Sequence, residues 1–197
     1  MQVSQPSLRE RQRLETLTRL HDAALDLVQE NGLTETTVSA IADRAGVSRR
    51  TFFNYFASKE DAVLGAGAPA LPPDSVDHLL DVPGQLERAV RIVFATASSI
   101  RHVRNRPADR RALVLVHPEL QLRSQHHAIA AQDLIAKALA ERYDDGDDLD
   151  RAMSLIMLAT AIMRFSYTRD PDSIDDPTRP AVAESITVFR NTLKDLT

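Results

Sequence analysis

Arg49, Arg50 and Thr51 follow one another directly after Ser48, within the stretch GVSRRTFFNYFASKED that runs from Gly46 to Asp61. A guanidinium is a rigid planar fork of donors that matches guanine O6 and N7 in pairs. A threonine offers its methyl to a thymine and its hydroxyl to a phosphate. Asn54, Tyr55 and Lys59 add an amide, a phenol and an ammonium, and the last two stand where they could bind phosphates beside the N-terminus of a following helix. The chemistry on offer is recognition of a polyanion and its bases. Catalysis finds no comparable footing, because the chain has no GxSxG elbow, phosphate-cradling glycine loop, HExxH helix or dinucleotide fingerprint. It is therefore not expected to be an enzyme.

Such side chains work only if short elements aim them. Leu14, Leu17, Leu20, Ala24, Leu27 and Val28 form one stripe of a first helix, which is predicted to stop at Asn31–Gly32. Thr37 is placed to cap a second helix carrying Val38, Ile41, Ala42 and Ala45. Gly46 supplies a left-handed turn residue, and Ser48 caps a third helix by accepting from a backbone N–H near Thr51. The result is helix, tight turn, helix. In that motif the second helix lies in the major groove and its leading residues reach base edges. Phe52 and Phe56, four apart, share a face and are expected to pack inward with Val38, Ile41 and Val47. Ser58 caps a fourth helix, with Asp61 in a capping-box-like position three residues on, and this helix is predicted to end near Leu64.

GAGAPALPPD, residues 65–74, then interrupts the helical pattern with small residues and prolines. The expected organisation is a helix-turn-helix domain over 1–64, a linker over 65–82, and a second helical domain over 83–197. Beyond the break, Leu86, Val90, Val93, Ala97 and Ile100 line one helix, RRALVLVH ends at Pro118, and another helix runs toward Tyr143. DDGDD, residues 144–148, reads as a polar turn. LDRAMSLIMLATAIMRFSY is apolar on nearly every side, which predicts a helix buried all round. Val182, Ile186, Phe189, Leu193 and Leu196 repeat at four-three spacing, a seam for packing helix against helix. No alternating strand segment, internal repeat or low-complexity tract is visible, so the fold class is all-α.

The chain has 197 residues and no cysteine, so disulfides, thiolate metal sites and cysteine nucleophiles are excluded. With no apolar leader and no run near the roughly 18 apolar residues of a membrane span, a cytoplasmic location without a membrane partner is expected. The formal charge of −4 argues against a nucleic-acid partner only at the scale of the whole chain. Arg9, Arg11, Arg13 and Arg19 crowd the start, and Arg44, Arg49 and Arg50 crowd the turn. The arm from Gln2 to Arg13 has two readings, a minor-groove contact or a disordered tail.

TETTVSAIADRAGVSRRTFFNYFASKEDAV resembles the DNA-binding region of the TetR family of bacterial transcriptional regulators, a likeness extending over roughly residues 12–64. It includes the Thr-Val-x-x-Ile-Ala opening, the Ala-Gly-Val-Ser turn and the Tyr-Phe ending followed by Ser-Lys-Glu-Asp. The resemblance implies a homodimer in which each N-terminal domain reads a half-site of double-stranded operator DNA and a divergent C-terminal domain binds a small effector. On the matching positions it implies DNA-facing roles for Thr37, Ser48, Arg49, Arg50, Thr51, Asn54, Tyr55 and Lys59. Phe53 departs from the tyrosine common there, which removes a phosphate hydrogen bond at that position.

HPELQLRSQHHAIAAQDLIAKALAERY resembles the effector domain of an actinobacterial branch described as binding acyl-CoA-like ligands. Such a ligand wants an apolar tunnel with cations at its mouth. Phe94, Met153, Met157, Ile162, Met163 and Phe165 are the candidate lining, and Arg123 and Arg164 the candidate cations. Methionines on a buried helix also serve as plain packing. No cofactor or metal is expected: His126 and His127 point about 100° apart on a helix, the other histidines (His21, His78, His102, His117) stand alone, and DDGDD lacks the ligand pattern of a calcium loop. The rival expectation is an all-helical ligand-binding or partner-binding protein without operator binding, which has no use for Arg49 and Arg50.

Overall fold

The computed structural model describes residues 7–77, 79–80, 84–100, 107–143, 146–174 and 176–195, and among them every regular element is helical. In chain order these are α1 (Leu8–Glu35), α2 (Val38–Arg44), α3 (Arg49–Phe53), α4 (Lys59–Leu64), α5 (Gln85–Ile100), α6 (Pro107–Val116), α7 (Pro118–Arg142), α8 (Gly146–Arg169), a 3-10 turn at Pro171–Ile174, and α9 (Pro180–Asp195). None of the described helices is long and apolar enough to cross a membrane. The chain divides into two compact units. Of the described residues, the first holds those up to Gly67 together with Leu113–Ser124, and the second holds the remainder.

In the first unit, α1 packs on α2 and α4, and α2 packs on α3. The stripe Leu17, Leu20, Ala24, Leu27 and Val28 is buried, whereas Leu14, expected with it, is 43% exposed. The helical conformation of α1 breaks where Asn31–Gly32 predicted a stop, at Gly32 with φ 81°, and one further turn reaches Glu35. Phe52 and Phe56 are buried with Ile41 and Ala42, which anchors the short α3 through its inner face. Each phenyl removed from water contributes about 1.5–3 kcal/mol, far more than the propensity of a five-residue helix could. Leu120 of α7 is also fully buried, so a stretch distant in sequence belongs to this unit.

The second unit is built on α8, which packs against α5, α9 and the 3-10 turn. Its core joins Val90, Val93 and Phe94 of α5, Ile135 and Leu139 of α7, Ala152, Ile156, Ala159 and Ile162 of α8, and Val182 of α9. Val76 and Leu79, from the stretch expected to be a linker, are part of that core. They are tied down by Tyr143, whose hydroxyl donates to Val76 O at 3.2 Å and accepts from Leu80 N at 3.4 Å.

One expectation needs correction here. α8 is not buried all round: Met157 is 69% exposed and Phe165 37%, because within one chain α5 and α9 leave the remaining face of α8 to solvent. The α9 seam packs helix against helix as its spacing predicted, with Val182 buried and Ile186 and Phe189 on the same core, while Leu193 is exposed. Leu196, His78, His102, the arm residues before Ser7 and the first two residues of DDGDD lie outside the described residues.

Candidate nucleic-acid interface

Three side-chain caps set the geometry of the turn. Thr37 Oγ1 accepts from Ala40 N at 3.1 Å, Ser48 Oγ from Thr51 N at 3.0 Å, and Ser58 Oγ from Asp61 N at 3.1 Å. Each satisfies a backbone donor that the first turn of a helix leaves without a partner. Gly46 turns the chain at φ 68°, a conformation that costs a residue with a Cβ. Val47 N then donates to Ala42 O at 2.9 Å, which closes the turn between α2 and α3. A further bond joins Ser48 Oγ and Thr51 Oγ1 at 2.9 Å, so the threonine hydroxyl is oriented from within the turn.

α3 consequently presents Arg49, Arg50, Phe53 and Asn54 to solvent, with Thr51 and Tyr55 half-buried at the flank. Among the described residues neither Arg49 nor Arg50 is engaged by a carboxylate or a carbonyl, so both forks are open to an outside acceptor. Thr37 is exposed at the start of α2, its hydroxyl already accepting the cap bond.

Lys59 lies elsewhere than expected. Its ammonium donates to Leu33 O at 2.8 Å, Thr36 O at 3.0 Å and Thr34 O at 3.3 Å. An ammonium has three protons, and three carbonyls at the end of α1 take them, so Lys59 is a strut between α4 and α1 in place of a phosphate clamp. Arg44 is likewise withdrawn from the cationic face. It forks onto Glu30 through two 2.7 Å bonds, and that hydrogen bond holds the Glu30 carboxyl below the usual carboxylate range.

Asp61 does more than stand in a capping position. It is 1% exposed and receives both arms of Arg123 from α7. The hydrogen bonds that Arg123 donates to Asp61, foremost, and the neighbouring negative charge raise the Arg123 pKa further. Arg123 was a candidate for the mouth of a ligand tunnel, and the structure places it instead in the first unit. Next to Asp61, the Ala62 carbonyl accepts from His21 Nδ1 at 2.6 Å, with the His21 ring buried under α4. Nothing local to either sequence segment signals these pairs, since the partners lie 62 and 41 positions apart.

The remaining ligand candidates divide between the core of the second unit and its surface. Phe94 is buried and Met153 packs on the same core, with Met163 beside it. Met157 and Arg164 stand on the exposed face of α8, so neither lines an interior tunnel. A shallow depression of about 320 Å³ in the second unit is lined by Leu71, Pro72, Val76, Ala138 and Arg142 among others, and by none of the candidates. His126 is exposed and His127 buried.

A capped helix-turn-helix whose second helix carries open guanidiniums has the form of an element that reads nucleic acid. Residues 20–64 match the family model for bacterial regulatory proteins of the tetR family. A "Putative mycofactocin biosynthesis transcriptional regulator" of Mycobacterium tuberculosis is 29% identical over 171 residues, 83% of this chain and 85% of that protein. The HTH-type transcriptional regulator TcmR of Streptomyces glaucescens is 44% identical over 59 residues, 30% of this chain and 26% of its own length. Among solved structures, the FadR repressor of Thermus thermophilus in complex with lauroyl-CoA aligns over 90% of this chain and 93% of that one, at 22% identity and a TM-score of 0.29. Over residues 20–64 the chain thus carries a DNA-binding region of the tetR-family kind, and along most of its length it is similar to a putative transcriptional regulator.

Proposed function

We propose that this regulator is a repressor that binds a roughly palindromic operator as a homodimer and leaves it when a small effector binds residues 83–197. The observation that carries the DNA-binding half is the face of α3, where Arg49 and Arg50 stand unpaired among the described residues behind a doubly bonded cap at Ser48. Thr37, Ser48, Arg49, Arg50, Thr51, Asn54 and Tyr55 are the residues assigned to DNA. Two recognition helices would enter successive major grooves about 34 Å apart.

Dimerisation is assigned to the outer faces of α8 and α9. Met157, Phe165 and Val188 are exposed there, at 69%, 37% and 43%, a cost in water that a partner helix pair would remove. Effector control then follows from linkage. A ligand that favours a form with badly spaced recognition helices weakens DNA binding by its differential affinity for the two forms. The second unit's apolar core makes an apolar effector the first class to try, acyl-CoA thioesters among them.

The test is fluorescence anisotropy with duplex DNA from the protein's own upstream region beside a scrambled duplex, at several salt concentrations. Selective binding with a steep salt slope, reversed by acyl-CoA, is the expected result. Equal weak binding to both duplexes would favour the helical sensor without an operator, and selective binding indifferent to every apolar ligand would remove the effector assignment.

A further inference from the structure

Phe53 ends α3 with half of its side-chain surface in water, 51% exposed. Its ring stands edge-on to Phe52, with centroids 5.4 Å apart and planes at 87°. Phe52 is itself fully buried and lies against Phe56 at 6.1 Å. The exposed phenyl is therefore braced from behind by the core of the first unit. Residues four apart on a helix share a face, so Phe53 lies in line with Arg49, and Asn54 in line with Arg50. An isolated exposed apolar side chain is ordinary on a protein surface. This one shares the exposed side of α3 with Arg49, Arg50 and Asn54.

A phenyl ring has neither a donor nor an acceptor for a phosphate oxygen or for the polar edge of a base. What the major groove offers an apolar group is the 5-methyl of thymine, which no other base carries. The flanking arginines supply the attraction to the polyanion, which gives no sequence preference to the phenyl by itself. We propose that Phe53 is a specificity-determining residue that packs on a thymine 5-methyl, so that each operator half-site carries a required thymine beside the bases read by the arginines. This rests on the reading of α3 as the DNA-contacting helix.

The experiment begins by selecting duplexes from a random-sequence pool with the full-length protein. Each thymine of the selected duplex is then replaced singly by deoxyuridine, which removes only the methyl, and affinity is measured by anisotropy. At one thymine per half-site the wild-type chain should lose about three- to fivefold in affinity, the worth of one buried methyl. The same replacement should change nothing for Phe53→Ala and little for Phe53→Leu, with circular dichroism showing both variants helical. If no thymine is sensitive in the wild-type chain, or if Phe53→Ala and Phe53→Leu keep the wild-type sensitivity, the assignment of Phe53 is overturned while DNA recognition stands. If the pool yields no preferred sequence, recognition itself fails and the assignment with it.

Discussion

Arg123 closes on Asp61 as a two-bond fork, Nε to Oδ1 at 2.7 Å and Nη2 to Oδ2 at 2.5 Å, joining α7 to α4 inside the first unit. The carboxylate is 1% exposed, whereas the guanidinium keeps 31% of its side-chain surface in water. Removing the cation takes the two-bond fork from a buried carboxylate, which costs much more than the pair contributes relative to an apolar substitute. Arg123→Ala should therefore destabilise the protein by about 3 kcal/mol in urea titration. The double replacement Arg123→Leu with Asp61→Leu should recover most of that loss. Equal losses in the single and double variants would show that packing, and not the buried carboxylate, sets the cost.

Arg49, Arg50 and Lys59 separate by what each does to the salt dependence of DNA binding. Arg49→Ala or Arg50→Ala should cost about 1–3 kcal/mol and relax preference at one base if the fork is on guanine. A loss uniform across sequences would mark a phosphate contact instead. Lys59→Met should lower thermal stability and leave the slope of log K against log salt unchanged, because the ammonium is spent on the carbonyls of Leu33, Thr34 and Thr36. A slope smaller by about one would return Lys59 to the phosphates.

Ser48 supports α3 from its first turn through the bonds to Thr51 N and Thr51 Oγ1. Ser48→Ala should cost about 1 kcal/mol of stability, and Ser48→Asp, which restores an acceptor, should recover it. The aspartate should nonetheless weaken DNA binding, since it brings a negative charge beside the phosphates. Thermal melting and anisotropy on the same preparations read the two effects separately.

Acid sensitivity is expected at the pair between Glu87 of α5 and Arg190 of α9. The hydrogen bond from Arg190 is the main cause holding the Glu87 carboxyl below its ordinary range, against a smaller opposing effect of burial. A depressed folded-state pKa means that the native state binds this proton less readily than the unfolded chain. The stabilisation is complete above the unfolded glutamate value and is lost as pH falls through the lower folded value. Both groups are substantially exposed, so the contribution is under about 1 kcal/mol. Glu87→Gln should flatten the acid limb of the melting temperature against pH, and an unchanged limb would show that the pair carries no linkage.

Met157 and Phe189 distinguish the interface between chains from the core within one. Phe189 stacks edge-on against Phe165 at 5.8 Å and packs on the core of the second unit. Phe189→Asp should cost about 3 kcal/mol or more in stability whatever the oligomeric state. Met157→Asp, on the exposed face of α8, should leave helix content and melting of the monomer intact while moving the sedimentation coefficient from dimer to monomer. A Met157→Asp chain that still sediments as a dimer would place the interface elsewhere.

Much of the reading unit was legible because its determinants are local. The caps at Thr37, Ser48 and Ser58 act on backbone groups three residues away, Gly46 is asked only for its own φ, and Phe52 and Phe56 are related by the helical repeat. Spacing alone therefore determined the all-helical class, the turn, and the exposure of Arg49 and Arg50. Tertiary structure decided what depends on residues far apart in the chain. It spent Lys59 on the end of α1, gave Arg123 to Asp61, took Val76 and Leu79 out of the linker, and turned Phe189 inward and Met157 outward. An amphipathic pattern states how much apolar surface a helix must cover, but not which helix covers it. A charged side chain states what partner it accepts, and only the fold determines which of several acceptors comes within reach.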